Sequence, residues 1–411
     1  MNKNLWVEAV IVDRLLLKMK LYLSALIAFY IGLVCYQVNG ESVWVLDSST
    51  HSTTLVGVGA GDATNISAVV AGSQNGVGSF VGLYDGVNWI SKFLNSGLLL
   101  DAAITSKGVV AATSLFSVFI STDNGESYVK SGVIKGTSQS ANVFGANRDQ
   151  LALVGSFQVK DATSPIPTLV YGVATSFDSG NSFSVSNSIP DGYTRYGAFP
   201  SDTTWYVSCG MWGSDASTAT DKERSALTAR MEYGVHDGRL SYDFSNRPHE
   251  KKGNQDSNDT TTGWFGSVSK TVDGGKTWKR VLSTNLETDY IYFNGISCSS
   301  EMNCVVVGEG DDAAGGYLVV AYTTFDGGAT WEQSLSANDV GLMAAKFVGP
   351  KEVWLLGTKK SGRLLYGQFW RSFDGGKSFT VDTVSEISNT SICRSPKSDD
   401  CSLLLTIDIF Y

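Results

Sequence analysis

One eight-residue pattern, Ser/Thr-x-Asp-x-Gly-x-Ser/Thr-aromatic, recurs along the chain and constrains the fold more than any other feature. Its aspartates are Asp123, Asp178, Asp273, Asp326 and Asp374. A shorter copy, YDGVNW around Asp85, keeps the Asp, Gly and aromatic positions. Each copy is preceded by a strand-like apolar run and followed by another, with two more such runs upstream. The repeat unit is therefore predicted to be four short strands, with the octapeptide as its third turn.

The residues of the octapeptide suit a structural turn. Aspartate accepts hydrogen bonds from backbone N–H groups within a turn, and glycine supplies the positive φ of a tight hairpin. The terminal aromatic side chain returns to the core and packs against the neighbouring sheet. Because one four-stranded sheet cannot bury both of its faces, a series of such sheets arranged radially is predicted, which is a β-propeller. The repeat period disfavours a β-sandwich, which is the alternative.

These octapeptides resemble the Asp-box, or BNR, repeat of sialidases, sortilin-type receptors, some xyloglucan-cleaving hydrolases and photosystem II assembly-factor propellers. The resemblance covers residues 41–411 and implies that each octapeptide lies between a third and a fourth strand, on the face away from the ligand site. In overall plan the chain looks most like the photosystem II assembly-factor type. It departs from that type in its secretory N-terminus, its cysteines and a large insertion, so the resemblance implies the architecture and not the photosynthetic role.

The number of blades follows from the copies of the motif and from the two ends of the chain. The six copies predict six blades. The strand-like run Ser42–Ser49 and the C-terminal tail, TSICRSPKSDDCSLLLTIDIFY, are predicted to join as a seventh. We therefore predict an all-β, seven-bladed propeller over residues 41–411. A six-bladed ring with a terminal embellishment is the alternative.

The N-terminus has the pattern of a secretory signal peptide. Two lysines precede the apolar run Leu21–Tyr36, and small residues suited to signal peptidase follow it, which predicts removal of residues 1–40. Because Met19 begins a complete signal peptide by itself, residues 1–18 are expected to come from an upstream start codon. A signal anchor is the alternative, since the run is nearly long enough to span a bilayer. We expect a secreted protein with no membrane contact after cleavage, or one held in the lumen of the secretory pathway.

Cysteines and glycosylation sequons agree with an oxidising compartment. Two pairs close in sequence predict the disulfides Cys298–Cys304 and Cys393–Cys401, and Cys209 is left as a buried free thiol. The Asn-x-Ser/Thr sequons, which permit N-glycosylation, are at Asn65, Asn258 and Asn389.

Composition and motifs exclude several classes of function. A net charge of −9 argues against a nucleic-acid partner, which needs a basic face. The three histidines have no metal-ligand spacing, and the chain lacks a phosphate-binding loop or a nucleophile elbow, so no metal and no cofactor are expected. We expect a monomer.

The turns on the face opposite the octapeptides are predicted to carry function. The longest is Ser214–Thr262, whose middle is predicted to form a helix, and it is either a recognition arm over the propeller's centre or a lineage-specific insertion. The candidate binding residues in these turns are Lys160, Met211, Trp212, Asp312, Lys359 and Lys360. The candidate catalytic carboxylates are Asp161, Glu309 and Asp311.

A sialidase is excluded because such enzymes bind the substrate carboxylate with three arginines, the first ahead of the first repeat. Here no arginine lies between Arg14 and Arg148. We expect a secreted binding scaffold for a protein or a glycan rather than an enzyme. The alternatives are a glycoside hydrolase that uses the candidate carboxylates, and a structural component of a cell wall or extracellular matrix.

Overall fold

The structure is a computed structural model, and the chain is β-structure throughout the part that it describes. The described residues are 32–38, 41–47, 53–63, 66–74, 78–84, 89–94, 96, 99–114, 117–144, 149–160, 166–211, 235–236, 239–240, 265–284, 290–311, 317–338, 341–361 and 364–382. Within these ranges no helix is long and apolar enough to cross a membrane. The predicted all-β class is therefore confirmed.

The strands are short and follow one another closely along the chain. They are β1 (Gly32–Val38), β2 (Glu41–Asp47), β3 (Thr53–Ala63), β4 (Ile66–Gln74), β5 (Gly78–Tyr84), β6 (Trp89–Leu94), β7 (Leu99–Ile104), β8 (Val110–Ser114), β9 (Ser117–Ser121), β10 (Val129–Lys130), β11 (Gly136–Phe144), β12 (Gln150–Val159), β13 (Thr168–Ser176), β14 (Ser184–Val185), β15 (Thr194–Ala198), β16 (Trp205–Met211), β17 (Val235–His236), β18 (Arg239–Leu240), β19 (Phe265–Thr271), β20 (Lys279–Ser283), β21 (Tyr290–Cys298), β22 (Cys304–Asp311), β23 (Tyr317–Thr324), β24 (Glu332–Ala337), β25 (Gly341–Phe347), β26 (Val353–Ser361), β27 (Leu364–Ser372) and β28 (Thr380–Asp382).

Most of these strands form four-stranded antiparallel sheets, of which the described residues contain six. Sheet 1 is β3–β6, sheet 2 is β7–β10, sheet 3 is β11–β14, sheet 4 is β15, β16, β19 and β20, sheet 5 is β21–β24, and sheet 6 is β25–β28. Within each sheet the strands lie in chain order, which confirms the predicted four-stranded repeat unit. Two hairpins, β1–β2 and β17–β18, stand apart from the six sheets.

Consecutive sheets pack face to face through their first strands. The first strand of each sheet lies against the first two strands of the sheet before it, from β7 on β3 and β4 to β25 on β21 and β22. Apolar side chains fill the layers between the sheets. Leu99 and Ile104, for example, pack with Val69 and Val81. The core is thus a series of layers between blade-like sheets, as in the packing of propeller blades.

The two ends of the chain bear on the number of blades. The predicted N-terminal strand is β2, and in the structure it pairs with β1, with Cys35 opposite Trp44. Cleavage after Gly40, as the sequence predicts, would separate these two strands. The C-terminal tail lies outside the described residues, so the seventh blade and the signal peptide remain predictions.

The five full octapeptides form the third turn of their sheets, as predicted. We name them the Asp turns, and they are Ser121–Tyr128, Ser176–Phe183, Thr271–Trp278, Thr324–Trp331 and Ser372–Phe379. Each joins the third strand of its sheet to the fourth. The degenerate copy at Asp85 lies outside the described residues.

Hydrogen bonds within the octapeptide explain its residue types, and the third copy is representative. Thr271 Oγ1 donates to Asp273 Oδ1 at 2.7 Å and accepts the N–H of Gly275 at 3.0 Å. The same Asp273 Oδ1 accepts the N–H of Thr277 at 2.9 Å, while Oδ2 accepts the Thr277 hydroxyl at 2.6 Å. Because the hydroxyl and N–H of Thr277 and the hydroxyl of Thr271 favour the carboxylate, the pKa of Asp273 is lowered to about 2.

The Asp turns also fasten each sheet to the one before it. The carbonyl of Gly275 accepts the N–H of Asn187, which follows the last strand of sheet 3, at 2.9 Å. The backbone carbonyl of Asn187 in turn accepts the indole N–H of Trp278 at 3.0 Å. The equivalent carbonyl in sheet 6, that of Gly376, accepts the Thr323 hydroxyl of sheet 5 at 2.7 Å. The repeated motif therefore stabilises both its own turn and the contact between neighbouring sheets.

The meander gives every sheet two different edges. One edge, which we name the Asp-turn edge, carries the turns from first to second strand and the Asp turns. The other, which we name the opposite edge, carries the turns from second to third strand and the connections between sheets. The long segment between Met211 and Phe265 joins the second strand of sheet 4 to its third, and therefore leaves and rejoins the opposite edge.

A disulfide braces one turn on the Asp-turn edge. Cys298 and Cys304 are directly opposite each other on β21 and β22 and are bonded, which confirms the first predicted pair. The loop that they close also contacts sheet 4, because the Glu301 carbonyl accepts the Tyr206 hydroxyl at 2.6 Å. The second predicted pair, Cys393 and Cys401, and the three sequons at Asn65, Asn258 and Asn389 lie outside the described residues.

Candidate functional site

A β-bulge recurs at one place in every sheet, in the pairing of the first strand with the second. The register shifts lie between Leu55 and Gly57, Leu99 and Asp101, Ser138 and Ser140, Thr194 and Gly197, Phe293 and Ile296, and Leu342 and Ala344. A bulge bends its strand and changes the direction of its side chains. The bulges of β7, β11, β15 and β21 contain or border polar residues, whereas those of β3 and β25 hold apolar residues and glycine.

Five buried polar residues lie at or beside these bulges, and we name them together the central cluster: Asp101, Arg195, Tyr292, Asn294 and Glu309. Arg195 and Asn294 lie within the bulges of β15 and β21, and Asp101 ends the bulge of β7. Tyr292 and Glu309 face each other across β21 and β22, close to the opposite edge. All five side chains are buried.

Hydrogen bonds in the cluster connect sheets 4, 5 and 6. Arg195 Nη2 donates to Asn294 Oδ1 at 2.6 Å, and Asn294 Nδ2 donates to the carbonyl of Leu342 at 3.1 Å. The Ser208 hydroxyl donates to the carbonyl of Asn294 at 2.5 Å. Asn294 is therefore the hub through which three consecutive sheets are joined.

A second set of contacts links the arginine to a buried carboxylate. The guanidinium of Arg195 lies over the ring of Tyr292, with its carbon 4.9 Å from the ring centroid. The Tyr292 hydroxyl donates a hydrogen bond to Glu309 Oε1. Since Arg195 and Glu309 are both buried, this chain of contacts gives each polar side chain a partner inside the protein and compensates for part of its desolvation.

Asp101 joins sheet 2 to sheet 3 and titrates near neutrality. Its carboxylate accepts the N–H groups of Ala102, on its own strand, and Ala141, on β11, both at 2.9 Å. Burial raises the pKa of Asp101 to about 7, against the lowering effect of these two N–H groups and of the charge on Lys346. Lys346 lies on β25, so this charge acts on Asp101 from the first strand of sheet 6.

The raised pKa of Asp101 predicts a pH-dependent contribution to stability. The folded state binds this proton more tightly than the unfolded state, whose carboxyl has a pKa near 3.8. The free energy of unfolding is therefore expected to rise as the pH falls from about 7 to about 4, by at most about 1.4 kcal/mol per pH unit. We expect Asp101→Asn to remove this rise, measured as urea midpoints between pH 4 and 8.

A matched control for this prediction is Asp149→Asn, because Asp149 lies in a turn and its pKa is lowered by the hydroxyl of Ser106 and by Lys107. That variant is expected to keep the rise between pH 7 and 4. Identical pH profiles for wild type and Asp101→Asn would contradict the assignment.

The cluster adjoins a buried thiol. Cys209 is free and fully buried, as the sequence predicts. Burial raises the pKa of this thiol to about 12, although a hydrogen bond with Ser267 and the charge of Arg195 both lower it. A neutral, enclosed thiol is a poor nucleophile, so Cys209 has the properties of a core residue.

The candidate site residues predicted from the sequence lie in different parts of the structure. Glu309 was predicted in a turn, but it lies within β22 and is buried. Lys359 and Lys360 were also predicted in a turn, and they lie on β26. Polar residues at the ends of long strands resemble turn residues in the sequence, which is the physical reason for these differences.

The other proposed positions lie on the opposite edge or outside the described residues. Met211 ends β16, Asp311 ends β22, and Lys160 is exposed immediately after β12. Asp161, Trp212 and Asp312 lie outside the described residues. Of the proposed residues that the structure describes, Glu309 is the one that belongs to the central cluster.

Sequence reasoning missed Asp101, Arg195 and Asn294. A local signal was present, since each is a polar residue within an apolar first-strand run: LLDAAI, TRYGA and YIYFNGISC. The contacts themselves join residues as far apart in sequence as Arg195 and Asn294, so the pattern indicates the positions and not the partners.

The contacts of the central cluster hold neighbouring sheets together. Every member of the cluster contacts another member or a neighbouring strand, and all are buried. In the part of the chain that the structure describes, no group of three or more His, Cys, Asp and Glu side chains is placed to hold a metal ion.

Comparisons with known proteins give structural matches alone. No protein-family profile matches the chain, and no curated protein matches it by sequence. One matching solved structure is the GH74 xyloglucanase from Xanthomonas campestris, at 12% identity and a TM-score of 0.47, with 79% of this chain and 46% of that chain covered. This chain thus spans about half the length of the xyloglucanase.

Another match is a polysaccharide lyase, the PL25 ulvan lyase, at 11% identity and a TM-score of 0.43, with 77% of this chain and 80% of that chain covered. A PL25 ulvan lyase structure with bound -[GlcA(1-4)Rha3S]- matches at 12% identity and the same TM-score. Identities this low and TM-scores below 0.5 assign neither a family nor an activity to this chain.

Proposed function

We propose that this chain is a secreted, seven-bladed propeller of the Asp-box type that binds an extracellular protein or glycan through its opposite edge. The geometry of the five Asp turns supports the Asp-box assignment, because hydroxyl, carboxylate and glycine take the same positions in each turn. The Cys298–Cys304 disulfide supports an oxidising compartment.

Burial at the two ends of the series of sheets supports a closed ring. In sheet 6, Trp354, Leu356 and Phe369 point away from sheet 5 and are nevertheless buried. In sheet 1, Val70 and Phe80 point away from sheet 2 and are also buried. Sheet 5 covers the opposite face of sheet 6, and sheet 2 covers the opposite face of sheet 1. A further layer between sheets 6 and 1 would therefore account for the burial of both sets of side chains. A seventh blade supplies that layer.

One observation carries the binding role: the chain leaves the opposite edge at Met211 and returns at Phe265, beside the central cluster. These two residues pair directly at the ends of β16 and β19. The N–H of Gly210 donates to the carbonyl of Tyr193, two residues before Arg195, at 3.1 Å. Long segments at strand ends of a rigid scaffold usually carry recognition. On the Asp-turn edge, by contrast, the turns pack against neighbouring sheets.

A scaffold agrees better with the described residues than a hydrolase does. A glycosidase needs two carboxyl groups that face the same substrate. Among the described side chains, the candidate Glu309 is buried and bonded to Tyr292, and Asp101 bonds two backbone N–H groups. Both carboxyl groups therefore serve the packing of the sheets.

The test is affinity capture from the extracellular material of the source, with the intact chain and with a variant that lacks residues 214–262. The deletion leaves four residues between Met211 and Phe265, a length that suits a hairpin turn, so the register of β16 and β19 is kept. We expect the intact chain to capture a partner and the deletion variant to lose it. Equal thermal unfolding of the two chains is the control.

Other outcomes distinguish the alternatives. Capture of the same partner by both chains would move the binding site away from residues 214–262. Release of reducing ends from a polysaccharide panel by the intact chain would replace the scaffold with a hydrolase. Recovery of the protein solely in insoluble wall or matrix material, without a saturable ligand, would identify a structural component.

A further inference from the structure

The outer strands of the six sheets differ in how well they can accept another strand. Each outer strand has a free edge of N–H and C=O groups, which pairs readily with an extended chain unless it is short, bulged or charged. β10 and β14 have two residues each, and β28 has three. β20 begins with two charged residues and β24 with one, and the pairing of each with its neighbour contains a bulge.

β6 is neither short nor bulged, and Lys92 is its one charged residue. Its six residues pair with β5 in one unbroken register, from Trp89 opposite Tyr84 to Leu94 opposite Ser79. Within the described residues, no strand pairs with its other edge. Ile90 is 58% exposed and Phe93 is 45% exposed, although both are large apolar side chains.

The charge around β6 also favours an added strand. The chain carries a net charge of −9, but residues 53–94, which form sheet 1, contain three charged residues, Asp62, Asp85 and Lys92. An approaching segment therefore meets little of the repulsion that the rest of the molecule exerts on acidic partners. Lys92 lies on β6 and on the same face of the strand as Ile90.

We propose that the free edge of β6 binds an extended peptide segment of a partner protein by β-strand addition. The main-chain groups of β6 bond the peptide, which places one apolar side chain beside Ile90 on one face and one beside Phe93 on the other. An acidic residue of the peptide lies opposite Lys92. The inference rests on the proposed role as a binding scaffold and names a partner class for it.

The size of the edge decides between a peptide and a second copy of the chain. Six strand residues extend over about 20 Å. Stable dimers bury roughly 1,200–2,000 Å² in total, and two rigid propellers that share a single short strand edge bury much less. A peptide needs a single strand edge for recognition, so it fits this edge better.

The experiment uses the full chain and a defined probe, the acetylated and amidated peptide TVVVEVV with a fluorescent label, which has valines two residues to either side of its glutamate on the same face. We expect saturable binding by fluorescence anisotropy, and slower amide hydrogen exchange at residues 89–94 when the peptide is bound. Ile90→Lys is expected to weaken binding about tenfold or more, because it adds charge and removes the apolar contact. The matched control is Val381→Lys, on the short outer strand β28, where the replaced valine is 52% exposed. That variant is expected to bind as the wild type does.

Several results would overturn the proposal. If the chain does not bind TVVVEVV, or binds equally well to the same peptide N-methylated at every residue, main-chain pairing is not the mode of recognition. If sedimentation velocity shows dimerisation that Ile90→Lys abolishes, the occupant is a second copy. The variant that lacks residues 214–262 retains β6, so it can bind the peptide even when it captures no partner through the opposite edge. Conversely, Ile90→Lys can lose the peptide and still capture that partner.

Discussion

Gly275→Ala is expected to destabilise the protein by roughly 3 kcal/mol. Gly275 has a φ of +82°, where an alanine costs about 1–2 kcal/mol. A Cβ at this position would also lie 2.6 Å from the Cβ of Ser186 and 2.9 Å from the ring of Trp205. Overpacking of that kind adds about 1–3 kcal/mol. The measurement is the free energy of unfolding in urea.

The matched control is the preceding residue of the same turn. Gly274 has a φ of +70°, but a Cβ there would meet no atom closer than 3.9 Å. Gly274→Ala is therefore expected to pay the conformational cost alone, about 1–2 kcal/mol. The difference between the two variants measures how tightly Gly275 packs against Ser186, which follows sheet 3, and against Trp205 of its own sheet. Equal losses would mean that the turn has room for a Cβ at Gly275 and does not pack closely there.

Asn294→Ala is expected to cost about 3 kcal/mol, because it removes the hub of the central cluster. The variant leaves a buried N–H of Arg195 and the buried carbonyl of Leu342 without the partner that each has in the wild type. Each such loss costs about 1–3 kcal/mol. The cost is measured by chemical denaturation at pH 7.

Two further variants make this prediction specific. Asn142→Ala removes an amide that donates to Ser140 Oγ within the same strand, at 3.1 Å, and is expected to cost about 1 kcal/mol. Combining Asn294→Ala with Arg195→Met is expected to cost less than the sum of the single changes, since both break the same bond. Strict additivity would show that Arg195 and Asn294 act independently.

The Asp turns were predictable because their interactions are local. Each turn is held by bonds between residues two and four positions apart, such as Thr271 with Asp273 and Asp273 with Thr277. Residue types and spacing therefore specify the turn completely. The four-stranded unit follows from the same repetition, and the structure agrees with it in all six described sheets.

The central cluster was not predictable from the sequence to the same degree. Its partners are brought together by the stacking of sheets, and the bulges that direct Arg195 and Asn294 have no distinct sequence signature. Glu309 was recognised as a candidate for the wrong reason, since its position in a polar stretch suggested a turn. A buried glutamate on a strand is tolerated here because the Tyr292 hydroxyl meets it.

The pairing of β16 with β19 has a consequence for engineering this fold. Seven consecutive residue pairs, from Trp205 with Thr271 to Met211 with Phe265, keep one register although a long stretch of chain separates the two strands. The entropy of closing such a loop grows only with the logarithm of its length. Foreign domains or epitopes inserted between Met211 and Phe265 are therefore expected to leave the four-stranded sheet intact. The same position is suited to the new termini of a circular permutant.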